Sequence, residues 1–131
     1  LLICLMAGMS VQDPISTLFI ILIVSWSFSS LGLFIGQMSD SWDQLSLIQN
    51  FVLTPLSFLG GIFYSVNDLP AWGMAISKVN PVFYTINALR YSTLGISDAP
   101  FVDSMAFIIT FCVLLTILAV KTMESGKKIR F

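Results

Sequence analysis

Long apolar runs alternate with short polar stretches along the chain, and the first complete run extends from Ile15 to Gly36. It contains no charged side chain, and as a helix it would measure about 33 Å at a rise of about 1.5 Å per residue. The hydrocarbon core of a bilayer is about 30 Å thick. The pattern therefore predicts a transmembrane helix, with Asp13 and Pro14 as residues typical of its start.

A second apolar run, from Leu45 to about Val66, predicts another span. Pro55 lies near its centre, where it removes one backbone donor and frees one carbonyl group, so we expect a kink at this position. The hydroxyl groups of Thr54 and Ser57 are near enough to satisfy part of the break. The last third of the span contributes two glycines and two aromatic residues suited to a membrane boundary: Gly60, Gly61, Phe63 and Tyr64.

Polar residues mark where the second and the last spans begin. In the polar connection before the second span, Ser41 and Gln44 form the Ser-x-x-Gln pattern of a capping box. Asp103 and Ser104 are expected to cap a last span that runs from Met105 to about Met123. The chain thus contains three complete predicted spans.

The segment between the second and the last span, Asn67 to Phe101, is interrupted twice by proline. Pro70 and Pro81 divide it into two pieces, and neither piece is long enough to cross a bilayer as a helix. We interpret them as two short re-entrant or interfacial helices. The predicted fold class is an all-α, polytopic membrane protein with about three full transmembrane helices, one truncated helix at Leu1 to Met9, and these two short helices.

The second short piece carries polar side chains on one helical face, at spacings of four, three and four: Asn80, Tyr84, Asn87 and Tyr91. Arg90 lies beside this face, and at the centre of a bilayer it would cost roughly 2.5 to 3.5 kcal/mol. We therefore expect Arg90 to snorkel, pair or line a wet cavity. Two roles remain open for it: a functional group of a transport pathway, or a structural group that caps carbonyls or binds a lipid phosphate.

Small residues share one face of the first span at spacings of four, three and four: Ser25, Ser29, Gly32 and Gly36. This face includes a GxxxG pattern, which allows another helix to approach closely. It is interpreted as ordinary packing against a neighbouring span, or alternatively as a dimer seam or a pathway wall. Trp26 lies near the middle of the span and is expected to face protein rather than lipid.

Composition agrees with a membrane protein and argues against other classes. Of the 131 residues, 56% are hydrophobic and 10% are charged, and the mean hydropathy is +0.92. The net charge of −1 and the scattered basic residues offer no stripe for a phosphate backbone, so no nucleic-acid partner is expected. Cys4 and Cys112 lie within apolar runs and are interpreted as packing residues. Because no basic region precedes the opening apolar run, we expect the sequence to begin inside a helix of a longer protein.

The reagents of most catalytic sites are missing from the sequence. It has no histidine and no cysteine pair with metal-binding spacing, so we expect no catalytic residue, no metal site and no bound cofactor in this chain. It also has no GxxxxGK[ST] loop, so ATP hydrolysis would have to come from another polypeptide or from a region outside the sequence. An intramembrane lipid-modifying enzyme is a rival hypothesis that would need its reactive groups elsewhere.

Basic residues favour one orientation in the membrane. Four of the six cluster near the C-terminal end: Lys121, Lys127, Lys128 and Arg130. The other two, Lys78 and Arg90, lie between the second and the last span. By the positive-inside rule the C-terminus is predicted to be cytoplasmic.

Several separated blocks of sequence resemble a known family. They are Leu59-Gly60-Gly61-Ile62-Phe63-Tyr64, Leu69-Pro70, Asn80-Pro81, Asn87-Ala88-Leu89-Arg90-Tyr91 and Gly95. Their order and spacing resemble the C-terminal signature of ABC-2 type transporter permeases. The runs 51–56 and 95–98 are similar to bacterial inner-membrane members of that family. The resemblance covers roughly Trp42 to Arg130.

The resemblance implies a six-helix permease of which residues 1–131 form the C-terminal part of a single transmembrane domain. It also implies a homodimer in the lipid bilayer, driven by cytoplasmic ATP-binding subunits through a coupling helix outside this sequence, and export of a hydrophobic, amphipathic or glycan-linked substrate. A membrane scaffold or assembly protein that transports nothing is the alternative. The candidate residues for the pathway or the re-entrant motif are Pro55, Gly60, Gly61, Phe63, Tyr64, Pro70, Asn80, Pro81, Asn87, Arg90 and Tyr91.

Overall fold

The computed structural model describes residues 11–124, and every regular element among them is helical, as predicted. The helices are α1 (Pro14–Met38), α2 (Trp42–Ile48), α3 (Thr54–Leu59), α4 (Ala71–Val79), α5 (Pro81–Leu94) and α6 (Phe101–Glu124). A π-helical turn, Gln49–Leu53, joins α2 to α3, and a 3-10 turn, Val66–Asp68, precedes α4. The predicted truncated helix at Leu1 to Met9 and the basic tail lie outside the described residues.

Helix α1 confirms the helix predicted for the first apolar run and is long and apolar enough to cross a bilayer. It begins as expected, with Pro14 as its first residue and Asp13 as its N-cap. The hydroxyl of Ser16 donates to Asp13 Oδ2 at 2.6 Å, and the backbone N–H of Ser16 donates to Oδ1 at 3.2 Å. These bonds hold the pKa of the Asp13 carboxyl below its usual value, since they stabilise its charged form.

Helix α6 is the second helix that is long and apolar enough to span a bilayer, and it begins earlier than predicted. Asp103 and Ser104, expected to cap it, lie instead within its first turn. The helix starts directly after Pro100, and the backbone N–H of Ser104 donates to the carbonyl of Pro100 at 3.2 Å. Proline cannot continue a preceding helix but is well suited to the start of one, which places the boundary there rather than at Met105.

Helices α1 and α6 pack along each other and form most of the apolar interior. Midway along them, Trp26 Nε1 donates to Thr116 Oγ1 at 3.1 Å, and the hydroxyl groups of Ser30 and Thr116 lie 3.4 Å apart. The prediction that Trp26 faces protein is correct for its polar edge and wrong for its ring, which is 62% exposed. The core cluster lies where α1, α5 and α6 meet, and it consists of Ile20, Ala88 and Ile108.

The second predicted span is a helix from Trp42 to Leu59, made of α2, the π-helical turn and α3. Ser41 caps it, accepting from the N–H of Gln44 at 3.4 Å, which confirms the Ser41 half of the capping box. The Gln44 side chain accepts from the N–H of Asp40 at 2.7 Å rather than from that of Ser41. It ends before the predicted Val66 because Gly61 adopts a left-handed conformation with φ of 82°. The helix is roughly 27 Å long at about 1.5 Å per residue, and only α1 and α6 among the described helices meet the length and hydropathy of a candidate span.

The two short helices predicted around the prolines are confirmed as α4 and α5. The start of α1 lies beside the end of α5, because the N–H of Asp13 donates to the carbonyl of Ser92 at 3.0 Å. The start of α6 lies there too, since Tyr91 stacks on Phe101 with ring centroids 4.7 Å apart. We call this region, where α4, α5 and the starts of α1 and α6 meet, the α4–α5 end.

Candidate functional site

Polar side chains fill much of the interior at the α4–α5 end. Asn80 and Asn87 are only 2% exposed, and Ser77 and Ser104 are fully buried. Buried polar groups are costly unless they are hydrogen-bonded, and here they bond to one another and to the backbone. We name this set the polar network; its members are Ser65, Ser77, Asn80, Asn87, Arg90, Asp98 and Ser104.

An ion pair between Arg90 and Asp98 lies within the polar network. Arg90 Nη1 donates to Asp98 Oδ2 at 3.0 Å, and Arg90 Nη2 donates to the carbonyl of Gly61 at 2.6 Å. The two side chains are 21% and 9% exposed. Arg90 therefore joins the end of the α3 segment to the loop before α6. Of the arrangements expected for this arginine, pairing is the one the structure adopts.

The carboxylate of Asp98 accepts two further hydrogen bonds from the segment that follows α3. The hydroxyl of Ser65 donates to Oδ1 at 2.6 Å, and the backbone N–H of Val66 donates to Oδ2 at 3.1 Å. With Arg90, these donors satisfy both carboxylate oxygens. The charge of Asp98 is thus both neutralised and hydrogen-bonded, as a shielded carboxylate requires.

Asn87 connects α5 to the loop and to the first turn of α6. Its Oδ1 accepts from the N–H groups of Asp98 and Ala99, at 2.7 and 3.2 Å. Its Nδ2 donates to the carbonyl of Ala99 at 2.9 Å and to the hydroxyl of Ser104 at 2.8 Å. All the usual donors and acceptors of one amide side chain are used, so Asn87 fixes the path of the chain between α5 and α6.

Two side chains tie the end of α3 to the short helices. Asn80 Nδ2 donates to the carbonyl of Leu56 at 2.6 Å, and the hydroxyl of Ser77 donates to the carbonyl of Leu59 at 2.7 Å. These carbonyls belong to the last turns of α3, which have no partner within the helix. The polar face predicted for α5 is therefore partly internal: Asn80 and Asn87 point into the protein and are not offered to solvent.

Gly60 and Gly61 allow the end of α3 to approach α5 closely. A Cβ on Gly60 would lie 2.9 Å from Val82 Cγ1 and 3.0 Å from Ile86 Cδ1. A Cβ on Gly61 would lie 2.9 Å from Val66 Cγ2, on a backbone whose φ is already left-handed. These glycines serve a close contact and a turn, and the carbonyl of Gly61 receives Arg90.

Gly60→Ala is expected to destabilise the full-length protein by about 1 to 3 kcal/mol, because the added methyl group overpacks the contact with Val82 and Ile86. The melting temperature in mild detergent measures this loss. Gly73→Ala is the matched control, since a Cβ there would come no closer than 3.4 Å to Leu69, which is ordinary contact, and alanine favours a helix. Equal melting temperatures for the two variants would contradict the packing described here.

The aromatic residues of the motif are exposed or half-buried. Phe63 is 77% exposed, whereas the hydroxyl of Tyr64 donates to the carbonyl of Phe58 at 2.7 Å. Tyr84 stacks on Phe107 at 4.2 Å between ring centroids. Pro70 precedes the first residue of α4, and Pro81 is the first residue of α5. The fold thus brings most of the predicted motif residues to one end of the molecule.

An open groove of about 710 Å³ separates α1 from the helix formed by α2 and α3, and we call it the α1–α2 groove. Gly32 and Ile35 line one wall. The other wall is formed by α2, the π-helical turn, α3 and the residues after it: Trp42, Leu45, Ser46, Ile48, Gln49, Leu53, Thr54, Ser57, Phe58, Ile62 and Phe63. Pro55 is exposed beside this wall rather than part of the polar network.

The small-residue face of α1 is exposed along its whole length: Ser25, Ser29, Gly32 and Gly36. The side of α1 that packs against α6 carries the buried residues Ser27 and Ser30 instead. A Cβ added at either glycine of the exposed face would meet nothing within 4 Å. Close packing of another helix on this face stays a prediction.

Asp98 is the member of the site that the sequence pattern did not reveal. Its position beside Pro100, outside the predicted spans, predicts a solvated helix-capping residue, and this prediction is wrong, since its side chain is 9% exposed and paired with Arg90. Ser65 and Ser77 also have no signal in the pattern, and Ser104 was predicted only as a helix cap. Only a weak signal in the sequence points to the pairing of Asp98 with Arg90. An acidic residue follows Arg90 after Gly95, whose left-handed turn brings the chain back toward α5.

The chemistry available to the polar network is positioning rather than bond making. Its ion pair is internally satisfied, and its hydroxyl groups donate to carbonyl or carboxylate oxygens. Within residues 11–124, no three histidine, cysteine, aspartate or glutamate side chains lie close enough together to hold a metal ion. The polar network is therefore suited to holding the helices in place.

Two long apolar helices that pack along each other and meet at a hydrogen-bonded polar end are typical of a helical membrane protein. Residues 1–94 match the family model of the ABC-2 type transporter, and the chain belongs to this family. The resemblance found in the sequence is thereby confirmed.

Among curated relatives, the chain is 38% identical over 103 residues to the inner membrane transport permease YadH of Escherichia coli strain K12. That alignment covers 79% of this chain and 40% of the relative. Nodulation protein J of Rhizobium leguminosarum bv. viciae is 32% identical over 76 residues, which cover 58% of this chain and 29% of that protein. The chain thus spans about 40% of the length of the first of these relatives. No solved structure matches it.

Proposed function

We propose that the full-length protein is the membrane permease subunit of an ABC transporter, and that a separate cytoplasmic subunit hydrolyses ATP for it. Its cargo is a hydrophobic, amphipathic or glycan-linked molecule that it exports across a bacterial inner membrane. The family match over residues 1–94 carries this proposal. The identity of 38% to a protein named a transport permease supports it.

In this proposal residues 1–131 are the C-terminal part of one transmembrane domain, and two copies of the domain form the pathway. Helices α1 and α6 and the helix Trp42–Leu59 cross the membrane, while α4 and α5 enter it from the outer side and return. Lys121 lies in the last turn of α6, away from the α4–α5 end. The positive-inside rule then puts the C-terminus in the cytoplasm and the α4–α5 end at the outer leaflet.

The polar network gives the proposed pathway a rigid outer end. Arg90 and Asn87 hold the short helices against α3 and α6, and they leave Phe63 and Tyr91 at the surface as groups that cargo can contact. In this arrangement Arg90 acts on transport by positioning its neighbours. The exposed aromatic rings suit an apolar or glycan-linked cargo near a membrane boundary.

The export proposal is tested by comparing the host with a mutant that lacks the full-length protein. Lipids and glycans of the inner and outer cell fractions would be measured by mass spectrometry. We expect at least one amphipathic or glycan-linked compound to accumulate inside the mutant and to return outside when the gene is restored. If the distributions are the same in both strains while another membrane protein is lost from the mutant, the scaffold alternative is correct.

A further inference from the structure

The two halves of the helix Trp42–Leu59 are held very differently. Among the described residues, α2 makes its main packing contacts only with the π-helical turn that follows it, and it has no buried residue. Helix α3 packs on both α4 and α5. Its last carbonyls accept hydrogen bonds from Asn80 and Ser77, and Gly60 directly after it is pressed against Val82. Within residues 11–124, α3 is therefore anchored by other elements and α2 is not.

The junction between the halves is the π-helical turn Gln49–Leu53. The N–H of Thr54 donates to the carbonyl of Gln49, one residue further back than in an α-helix, and the hydroxyl of Thr54 donates to the same carbonyl at 3.0 Å. Pro55 follows directly and offers no N–H to the helix. A π-helical turn next to proline interrupts the regular backbone ladder, and helices bend most easily at such places.

Open space lies between α2 and α1. The α1–α2 groove separates α2 from α1, and Gly32 on the α1 wall leaves room because a Cβ there would meet nothing within 4 Å. Ser46 and Leu45 of α2 face this wall. A rotation of α2 about the π-helical turn would change the width of the groove without disturbing the polar network.

We propose that the π-helical turn Gln49–Leu53 is a hinge about which α2 swings toward and away from α1, while α3 stays fixed to α4 and α5. The hinge rests on the proposed transport function for its role, since the swing would widen and close the groove during the cycle. Whether the hinge exists can be tested by measuring the motion of α2, without any transport assay.

The test measures distances between spin labels in the full-length protein, purified and placed in lipid nanodiscs, with its native cysteines replaced by serine. One pair joins α2 to α6, through Leu47→Cys and Val113→Cys, and a reference pair joins α4 to α6, through Val79→Cys and Val113→Cys. All three label sites are exposed. We expect the α2–α6 distances to form two populations, or one distribution at least about twice as wide as that of the reference pair.

Deleting Val52 is expected to convert the π-helical turn into regular α-helix, since such a turn contains one extra residue. The α2–α6 distances should then collapse to one narrow population, with the reference pair unchanged. If the deletion variant does not fold, Thr54→Val decides, because it removes the hydroxyl bond to Gln49 and should shift the balance of the two populations. Thr54→Ser keeps that bond and should behave as the wild type.

The proposal is overturned if the α2–α6 distances are as narrow as the reference distances in the wild type. It is also overturned if a folded deletion variant, or Thr54→Val, leaves the α2–α6 distribution unchanged. If α2 does not move, the hinge proposal is wrong and the transport proposal is unaffected. If α2 moves in a protein that exports nothing, the transport proposal is wrong and the hinge itself is unaffected.

Discussion

Replacing Arg90 by alanine is expected to lower the free energy of unfolding of the full-length protein by about 3 to 5 kcal/mol. The change leaves the carboxylate of Asp98, which is 9% exposed, without its cation, and it removes the donor to the carbonyl of Gly61. Unfolding in mixed detergent micelles, followed by tryptophan fluorescence, measures the loss. Export of the cargo should fall along with the amount of folded protein.

Two further variants separate the ion pair from a general effect of losing a basic residue. Lys78→Ala removes an exposed lysine that has no ion pair with any other residue between 11 and 124, and its effect should stay within about 0.5 kcal/mol. Combining Arg90→Ala with Asp98→Asn should recover part of the lost stability, because no unpaired charge remains. If Arg90→Ala is as mild as Lys78→Ala, the shielded ion pair described here does not exist.

Replacing Asn87 by alanine is expected to destabilise the full-length protein by about 3 kcal/mol, because buried N–H and carbonyl groups lose their partner. The side chain is 2% exposed and bonds to Asp98, Ala99 and Ser104. The loop between α5 and α6 should also become accessible to proteases. Limited proteolysis and thermal melting in the same detergent measure the two effects.

The matched control for Asn87 is Asn67→Ala, which changes an exposed asparagine in the 3-10 turn near the same end. It should alter the melting temperature little. A double-mutant cycle with Ser104→Ala should show coupling, since Asn87 Nδ2 and Ser104 Oγ are 2.8 Å apart. Additive losses in that cycle would contradict the bond between them.

Apolar runs and prolines were enough to predict the helices that depend on local sequence. Helix α1 follows from an uncharged run preceded by Asp13 and Pro14, and α4 and α5 follow from the breaks at Pro70 and Pro81. These signals act within one or two turns, through capping and through the missing N–H of proline. The starts of these helices are therefore determined by local sequence and do not depend on tertiary packing.

Other features depended on contacts between distant parts of the chain. The ion pair of Arg90 with Asp98 and the bond from Asn80 to Leu56 require the folded arrangement of α3, α5 and the loop before α6. A helical pattern shows that Asn80 and Asn87 share a face, but not whether that face meets solvent or protein. The break near Pro55 was expected, but its form as a π-helical turn depends on how the backbone relieves the missing bond.

The assignment of pathway residues is still a prediction. Most of the motif, from Gly60 to Tyr91, lies at the α4–α5 end, where its contacts explain the positions of the residues without cargo. The small-residue face of α1 and the α1–α2 groove offer surface for further helices or cargo. The mutational effects above test the structural role first, and export assays on variants that remain folded test the pathway role.

The claim that this chain belongs to an ATP-driven permease is tested most directly by affinity purification of the full-length protein from its own host in mild detergent. The proteins that copurify would be identified and quantified by mass spectrometry. A nucleotide-binding ATPase subunit in stoichiometric amount is the predicted result. A clean preparation that contains the full-length protein without any ATPase subunit would contradict the claim and favour a membrane scaffold.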